Sequence, residues 1–240
     1  MGADAPDNPP ERSILPDGSE TPDTDFHRFL RDYGFNITLG MFSERNVAPF
    51  AVGFTATTAF GTQDDEVRDA VEGKTSGSLG QFIGGPAVIW PLVGGSVLIS
   101  QFTENRKFRA FAYDLTQGIL VDETYVRTVK YAVDRTRPNG ERYSFPSGHT
   151  SNSFVVATVL DHYYGHKWGI PVYTVAALIG ASRIAKGKHY LSDTIAGATI
   201  GYLAARTAIH THTRQGTRPN LVLAPFRDEN GTGLGMTLRF

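Results

Sequence analysis

Apolar residues recur at the spacing of an α-helix through the middle of this 240-residue chain, and this pattern limits the fold more than any other feature. In the stretch 105–133, Tyr125, Val129 and Val133 fall on one face of a helix. This helix is expected to end near Thr136, because the next residue precedes a proline and is therefore pushed out of the helical conformation. Similar patterns before and after it predict a chain that is mostly α-helical.

The two ends of the chain differ from this helical middle. Residues 1–24 are rich in Pro, Asp, Gly and Ser, which predicts a disordered or extended arm. Residues 25–212 are expected to form the helical domain. In the tail, 213–240, two runs with β-like character flank a turn signal at 228–231, which predicts a small β-hairpin.

Composition excludes several classes of function. The formal net charge is −1, which does not favour binding to nucleic acid or to acidic lipids. The sequence has no cysteine, so disulfides, a catalytic thiolate and a zinc–thiolate site are all excluded. Many of its basic residues nevertheless lie between positions 130 and 188, which favours a small anionic ligand over a polymer.

One segment, 81–103, is apolar, uncharged and long enough to be considered for a membrane span. It contains Pro86, Pro91 and four glycines, which interrupt helices of that kind. The sequence therefore predicts a buried core helix pair or a kinked helix at this point, rather than a membrane span.

Three short segments carry the residue types that phosphate chemistry needs. The first holds Lys130 and Arg137, seven residues apart, which would place both cations on one face of a helix. Their repulsion would be relieved by an anion bound between them. The alternative is an ordinary solvated basic face, which is the commoner arrangement for such a pair.

The second segment, Pro146-Ser147-Gly148-His149, has the form of a helix start. The backbone N–H groups of Ser147, Gly148 and His149 would point outward together and, with the positive end of the helix dipole, bind an anion. Gly148 would let an oxyanion approach the backbone, and Ser147 would add a hydroxyl donor. The alternative is an ordinary capped helix with an incidental histidine.

The third segment begins with Ser182-Arg183 and continues to His189 and Asp193. Arg183 offers a planar fork of donors that suits phosphate oxygens. His189 and Asp193 are neighbours if a helix begins near His189, and the carboxylate would then fix the tautomer of the imidazole. A purely structural His–Asp pair is the alternative.

Together these segments resemble the signature of the type 2 phosphatidic acid phosphatase (PAP2) superfamily, which also includes bacterial class A acid phosphatases and vanadium-dependent haloperoxidases. That signature is a Lys and an Arg-Pro separated by six residues, then Pro-Ser-Gly-His, then Ser-Arg, five residues, His, three residues and Asp. The chain matches every position: Lys130, Arg137-Pro138, Pro146-Ser147-Gly148-His149, Ser182-Arg183, His189 and Asp193.

The resemblance implies an all-α helical bundle of the PAP2/chloroperoxidase type that hydrolyses phosphomonoesters or diphosphates without a metal. It implies that His189 attacks phosphorus to form a phosphohistidine and that Asp193 orients His189. It also implies that His149 protonates the leaving oxygen and then activates water. The residues implied to hold the phosphate oxygens are Lys130, Arg137, Ser147, Gly148 and Arg183.

The resemblance implies no cofactor, although vanadate could occupy the site as a phosphate mimic or inhibitor. Two other functions remain open: a vanadium-dependent haloperoxidase, and a protein that binds phosphate or a lipid headgroup without turnover. The expected substrate is a phosphorylated small molecule or lipid, with no nucleic-acid partner. Peripheral membrane contact and a homo-oligomer are both open. No signal peptide is visible in residues 1–6, and we expect a periplasmic or secreted protein from which it has been removed.

Other charged residues carry weaker hypotheses. His210 and His212 are interpreted as a solvated helix end, because they lack a convincing metal-ligand spacing. Arg135 and Lys188 could attract the substrate, but ordinary surface charge is the stronger interpretation of both.

Overall fold

The computed structural model describes residues 26–71, 73, 82–213, 220–228 and 231–239. Eight α-helices lie wholly within these ranges: α1 (Phe26–Phe35), α2 (Glu44–Gly61), α3 (Asp64–Val71), α4 (Pro86–Phe102), α5 (Arg106–Val133), α6 (Gly148–Tyr164), α7 (His166–Ala185) and α8 (Leu191–Thr213). A π-helical turn, Asn36–Gly40, follows α1. The predicted all-α bundle is confirmed.

The tail carries two strands, β1 (Asn220–Asp228) and β2 (Gly231–Arg239). They pair as an antiparallel ribbon whose register runs from Asn220 opposite Arg239 to Asp228 opposite Gly231. This is the hairpin that the sequence predicts. The arm predicted over 1–24 lies outside the described residues.

The long helix α5 supplies much of the core. Its first turn is capped by Asn105, whose side chain accepts a hydrogen bond from the N–H of Phe108 at 3.0 Å. It ends at Val133, because Asp134 adopts a left-handed conformation with φ of 46°. Between these ends it buries Leu115, Ile119 and Val121 completely, against apolar residues of α6 and α8.

Helix α8 lies at the centre of the bundle and contacts α2, α5, α6 and α7. Small residues allow the close approach to α6: a Cβ on Gly201 would lie 2.1 Å from the carbonyl oxygen of Ser151. A Cβ on Gly197 would lie 2.4 Å from the carbonyl oxygen of Ser147. These contacts bring the start of α6 against the first turns of α8, which is where the candidate site forms.

The segment 81–103 is not a buried core element. Its described part contains the single helix α4, with Pro91 inside it, packed against α5. Only Ile89, Val93 and Ser96 of this helix are buried, while Leu98 and other apolar side chains are exposed. The alternative of a buried core helix pair is therefore wrong, because apolar composition alone does not show how many faces of a helix find a protein partner.

Candidate active site

The three sequence segments meet at one end of the bundle. Helix α5 ends there, α6 begins there, and the turn from α7 to α8 passes between them. The loop 134–147 closes this end, and the N–H of Ser147 donates a hydrogen bond of 2.9 Å to the carbonyl oxygen of Asp193. The second and third segments are therefore joined through the main chain.

His189 and Asp193 form the buried centre of this site. Nδ1 of His189 lies 3.7 Å from Oδ2 of Asp193, and both side chains are almost fully buried. At that separation the two groups interact as a close pair rather than through a short hydrogen bond. Because Nδ1 faces the carboxylate, Nε2 is the ring nitrogen left for a substrate.

Three donors hold the carboxylate of Asp193. Its Oδ2 accepts hydrogen bonds from the hydroxyl of Ser144 and, at 2.8 Å, from the N–H of Tyr190. Its Oδ1 accepts one from Nη1 of Arg135 at 2.8 Å. Burial alone would raise the pKa of Asp193, but these donors and His189 outweigh burial and hold the pKa below its usual value.

Both histidines of the site favour the neutral form in the absence of a bound anion. Burial lowers the pKa of His189 to about 4 despite the neighbouring Asp193. Burial also lowers the pKa of His149 to about 4, and the charges of Arg183, Lys130 and Arg137 act in the same direction. At neutral pH each imidazole therefore has one ring nitrogen with a free lone pair.

The start of α6 differs from the prediction. The helix begins at Gly148, two residues after Pro146, which follows a cis peptide bond. Of the three N–H groups expected to point outward, that of Ser147 is bonded to Asp193 instead. The buried Ser147 hydroxyl is 2.9 Å from the hydroxyl of Thr150. The anion site predicted at this helix start thus loses one backbone donor to the contact with α8.

Lys130 and Arg137 come together in a way that the sequence does not predict. Lys130 lies in the last turn of α5, but Arg137 lies in the loop after it, so the two do not share a helix face. Lys130 donates hydrogen bonds to the carbonyl oxygens of Tyr143 and Pro146, at 2.9 and 2.6 Å. Burial and the nearby charge of Arg137 lower the pKa of Lys130 to about 8.

Arg183 is the buried cation of the site. Its side chain extends from the last turn of α7, and the residue is 5% exposed. Among the described residues, neither its Nε nor its Nη1 has a hydrogen-bond partner. Buried guanidinium donors without partners are costly, and an anion relieves that cost by accepting their hydrogen bonds.

The carboxylate of Glu141 forms ion pairs with two cations at the edge of the site, Arg137 and Lys188. Glu141 accepts a hydrogen bond of 2.6 Å from Nη1 of Arg137 and another of 2.6 Å from Lys188. Nε of Arg137 is buried and has no partner in the described part of the chain. Lys188 is thus engaged at the rim of the site.

Two interpretations of single residues are wrong. Arg135 is not simple surface charge, because it binds Asp193 and Asp64. His212 is not solvated: it is fully buried, its Nδ1 lies 2.8 Å from Oδ1 of Asp114, and its ring stacks on Tyr113 with centroids 4.4 Å apart. No local sequence pattern predicts these partners, since each lies at least 58 positions away in the chain.

No group of three or more His, Cys, Asp or Glu side chains with the arrangement of a metal site occurs in the ranges that the structure describes. The donor groups of the site are cationic or neutral. Such a set suits an oxyanion and does not suit a metal cation.

The family model described as the PAP2 superfamily matches residues 121–217. That range includes all three segments. In this part the chain is similar to the PAP2 superfamily, and its helical fold and the arrangement of the site agree with that similarity.

Individual relatives show the same similarity. A lipid A 1-phosphatase of Porphyromonas gingivalis is 40% identical over 82 residues, which cover 32% of this chain and 18% of that protein. A probable lipid phosphate phosphatase beta of Arabidopsis thaliana is 29% identical over 139 residues, which cover 42% of this chain and 65% of that protein. The chain thus spans less than two thirds of the length of either curated relative.

A solved structure shares the fold. The crystal structure of a transmembrane PAP2 type phosphatidylglycerolphosphate phosphatase from Bacillus subtilis superposes with a TM-score of 0.56. The superposition covers 69% of this chain and 94% of that chain at 20% sequence identity. At that identity the likeness concerns the fold alone.

Proposed function

We propose that this chain is a phosphatase that hydrolyses the phosphomonoester or diphosphate group of a lipid substrate through a phosphohistidine. One observation carries the proposal: buried Arg183 keeps guanidinium donors without partners in the described part of the chain, beside two neutral histidines. A phosphoryl group would accept those hydrogen bonds and lie next to a nucleophile and an acid.

The chemistry follows from the two imidazoles. Nε2 of His189 attacks phosphorus while the bond from phosphorus to the leaving oxygen breaks, and His149 gives that oxygen a proton. His149 then takes a proton from a water molecule whose oxygen attacks the phosphohistidine. Inorganic phosphate leaves, and His189 is regenerated. Asp193 stabilises the positive charge that His189 carries in the intermediate.

The cations hold the phosphoryl oxygens during both steps. Arg183, Arg137 and Lys130 surround the histidines, and their charges all lower the pKa of His149. The Ser147 hydroxyl and the N–H of Gly148 complete the proposed binding set. A bound phosphate dianion reverses the electrostatic effect on His149, because it favours the protonated imidazole that must serve as the acid.

The lipid class of substrate rests on the surface and on the relatives. Phe54 of α2, Leu98 of α4 and Leu178 of α7 belong to a set of exposed apolar side chains on these three helices. The two curated relatives are named for lipid A and for lipid phosphates. A substrate with acyl chains would place its phosphate in the cationic site and its chains along such a surface.

Membrane contact follows from the same surface. Between Arg45 and Asp64, and again between Lys167 and Arg183, the chain has no charged side chain, and exposed apolar residues lie in both stretches. By length and composition one described helix, α7, could cross a bilayer, although the core helix of a soluble protein meets the same criterion. We place the site on the periplasmic or outer side of that membrane, as the predicted location requires.

The proposal is tested by phosphate release from lipid phosphates and from water-soluble phosphoesters, in detergent and with a chelator present. His189→Ala should lose nearly all turnover, and acid-labile, alkali-stable phosphate should appear on the wild-type protein during turnover but not on this variant. The matched control is His166→Ala, at the far end of α7, which should retain wild-type turnover. Unchanged turnover of His189→Ala, or activity abolished by the chelator, would contradict the mechanism.

A further inference from the structure

The orientation of Asp193 depends on residues that the three-segment signature does not specify. Its two oxygens receive hydrogen bonds from Ser144, Tyr190 and Arg135, and only the bond from Arg135 carries a full positive charge. Because Ser144 and Tyr190 both bind Oδ2, Arg135 is the residue that fixes Oδ1. Rotation of the carboxylate away from His189 would break this charge-assisted bond.

Arg135 is itself held in place from three directions. Its Nη2 donates to Oδ2 of Asp64 at 2.9 Å, and its Nη1 also donates to the hydroxyl of Ser192 at 2.8 Å. Its guanidinium lies over the ring of Tyr190, 4.1 Å from the ring centre. The side chain therefore has one geometry, although it is only half-buried.

Asp64 connects this arrangement to a distant part of the chain. It is the first residue of α3, it is buried, and it accepts hydrogen bonds from the N–H of Ser192 at 2.8 Å and from the hydroxyl of Ser192. It thereby satisfies a free N–H in the first turn of α8. The same carboxylate thus holds the start of α8 and the far side of the Arg135 guanidinium.

Asp64, Arg135 and Asp193 combine one cation with two carboxylates. Arg135 lies between Asp64 and Asp193, so the triad carries one net negative charge. Without Asp64, the guanidinium would form its ion pair with Asp193 alone and compete with His189 for it. Without Arg135, two carboxylates would face one another near Ser192.

We infer that Arg135 and Asp64 are positioning residues that act on the reaction through Asp193, which in turn orients His189. This inference rests on the proposed phosphatase function. Neither residue touches the substrate in this scheme. Their removal is therefore expected to change the chemical step and to leave substrate binding largely unchanged.

The test is a set of double-mutant cycles. Arg135→Ala should lower kcat about 10- to 100-fold, by analogy with the loss of the partners that orient metal-bound histidines, with KM little changed. In the Asp193→Ala background the same substitution should cost nothing further, because its effect passes through Asp193. Asp64→Ala should lower kcat less, and its effect should be smaller in the Arg135→Ala background than in the wild type.

A second variant and a matched control sharpen the result. Arg135→Lys should recover part of kcat, because an ammonium group reaches one carboxylate but not both in the fixed fork geometry. Arg142→Ala is the control, since Arg142 lies in the same loop and pairs with Asp134 at the surface. It should retain wild-type kcat and KM.

Two outcomes overturn the inference. The first is a raised KM with unchanged kcat in Arg135→Ala, which would make Arg135 a substrate-attracting cation. The second is a loss that multiplies with that of Asp193→Ala, which would make its action independent of Asp193. If Arg135→Ala does not fold, Arg135→Gln replaces it, and the same outcomes decide.

A measurement that does not depend on turnover tests this inference separately from the proposed function. In NMR spectra of ¹⁵N-histidine protein, Arg135→Ala should shift the ring nitrogen signals of His189 and leave those of His166 in place. Unshifted His189 signals would contradict the inference even if the protein hydrolyses phosphoesters. Absence of turnover in both wild type and Arg142→Ala would contradict the proposed function, while the shift would still report the positioning.

Discussion

His149 is a weak base in this structure because three positive side chains and burial oppose its protonation. Its pKa of about 4 belongs to the anion-free site. A bound phosphate or vanadate adds negative charge and raises that pKa, so proton uptake accompanies binding. Affinity for an anion should therefore rise as pH falls from the raised pKa of the bound state toward the free pKa of about 4.

The corresponding prediction concerns inhibition by vanadate. Between pH 8 and pH 5, the inhibition constant of the wild-type protein should fall more steeply than that of His149→Ala. Titration of vanadate itself is the same for both proteins, so the difference between the two slopes isolates His149. Parallel slopes would show that His149 does not take up the proton.

The sequence predicts which residues come together at this end of the bundle better than it predicts their contacts. His149, His189, Asp193 and Arg183 are brought together at one end of the bundle. The helix face expected for Lys130 and Arg137 does not exist, because α5 ends at Val133. Contacts through the loop 134–147 depend on long-range hydrogen bonds, which periodicity and local propensity do not encode.

At the scale of elements, the close contact between α6 and α8 depends on two glycines of α8. The helix spacing leaves no room for a methyl group at Gly197, which faces the carbonyl oxygen of Ser147. Ser147 in turn precedes the first residue of α6. Any displacement at this contact therefore moves the start of α6, where His149 lies.

Gly197→Ala should consequently lower both stability and turnover. Overpacking of this kind costs about 1–3 kcal/mol, measured as the free energy of unfolding in denaturant. The matched control is Gly94→Ala in α4, where a Cβ meets no atom within 4 Å. That control should gain about 0.5–1 kcal/mol, as for Gly→Ala in a helix interior, and keep wild-type turnover.

Helix boundaries follow from local sequence signals, whereas the exposure of a helix face does not. The end of α5 lies within a few residues of its predicted position, because the proline at 138 and the αL residue at 134 act locally. The outward face of α4 was not predictable, since its exposure depends on which other helices pack against it. Only the assembled bundle shows that α5 covers one side of α4.

At the scale of the whole molecule, exposed apolar side chains concentrate on α2, α4 and α7. Phe54, Leu98 and Leu178 are at least 60% exposed. Soluble proteins rarely keep large contiguous apolar patches exposed. The proposed membrane contact explains the absence of charged side chains over 46–61 of α2, 86–102 of α4 and 168–182 of α7.

The double variant Leu98→Lys/Leu178→Lys tests this contact. Both side chains are exposed, so the core should stay intact, while retention of the protein in washed membranes should fall clearly. The control is Leu30→Lys in α1, an exposed leucine that lies between Arg28 and Arg31. Equal retention of both variants and the wild type would contradict membrane contact through α4 and α7.

The hydrogen bond from the N–H of Ser147 to the carbonyl oxygen of Asp193 has a practical consequence for protein engineering. Because this bond joins two main-chain groups, a chimera cannot acquire it by copying side chains. A design that places this site in another helical scaffold must reproduce the crossing of α6 and α8. It must also keep a glycine at the position of Gly197, because a Cβ there would meet the carbonyl oxygen of Ser147. It must also carry residue 64, so the smallest transferable unit begins well before the first recognisable motif.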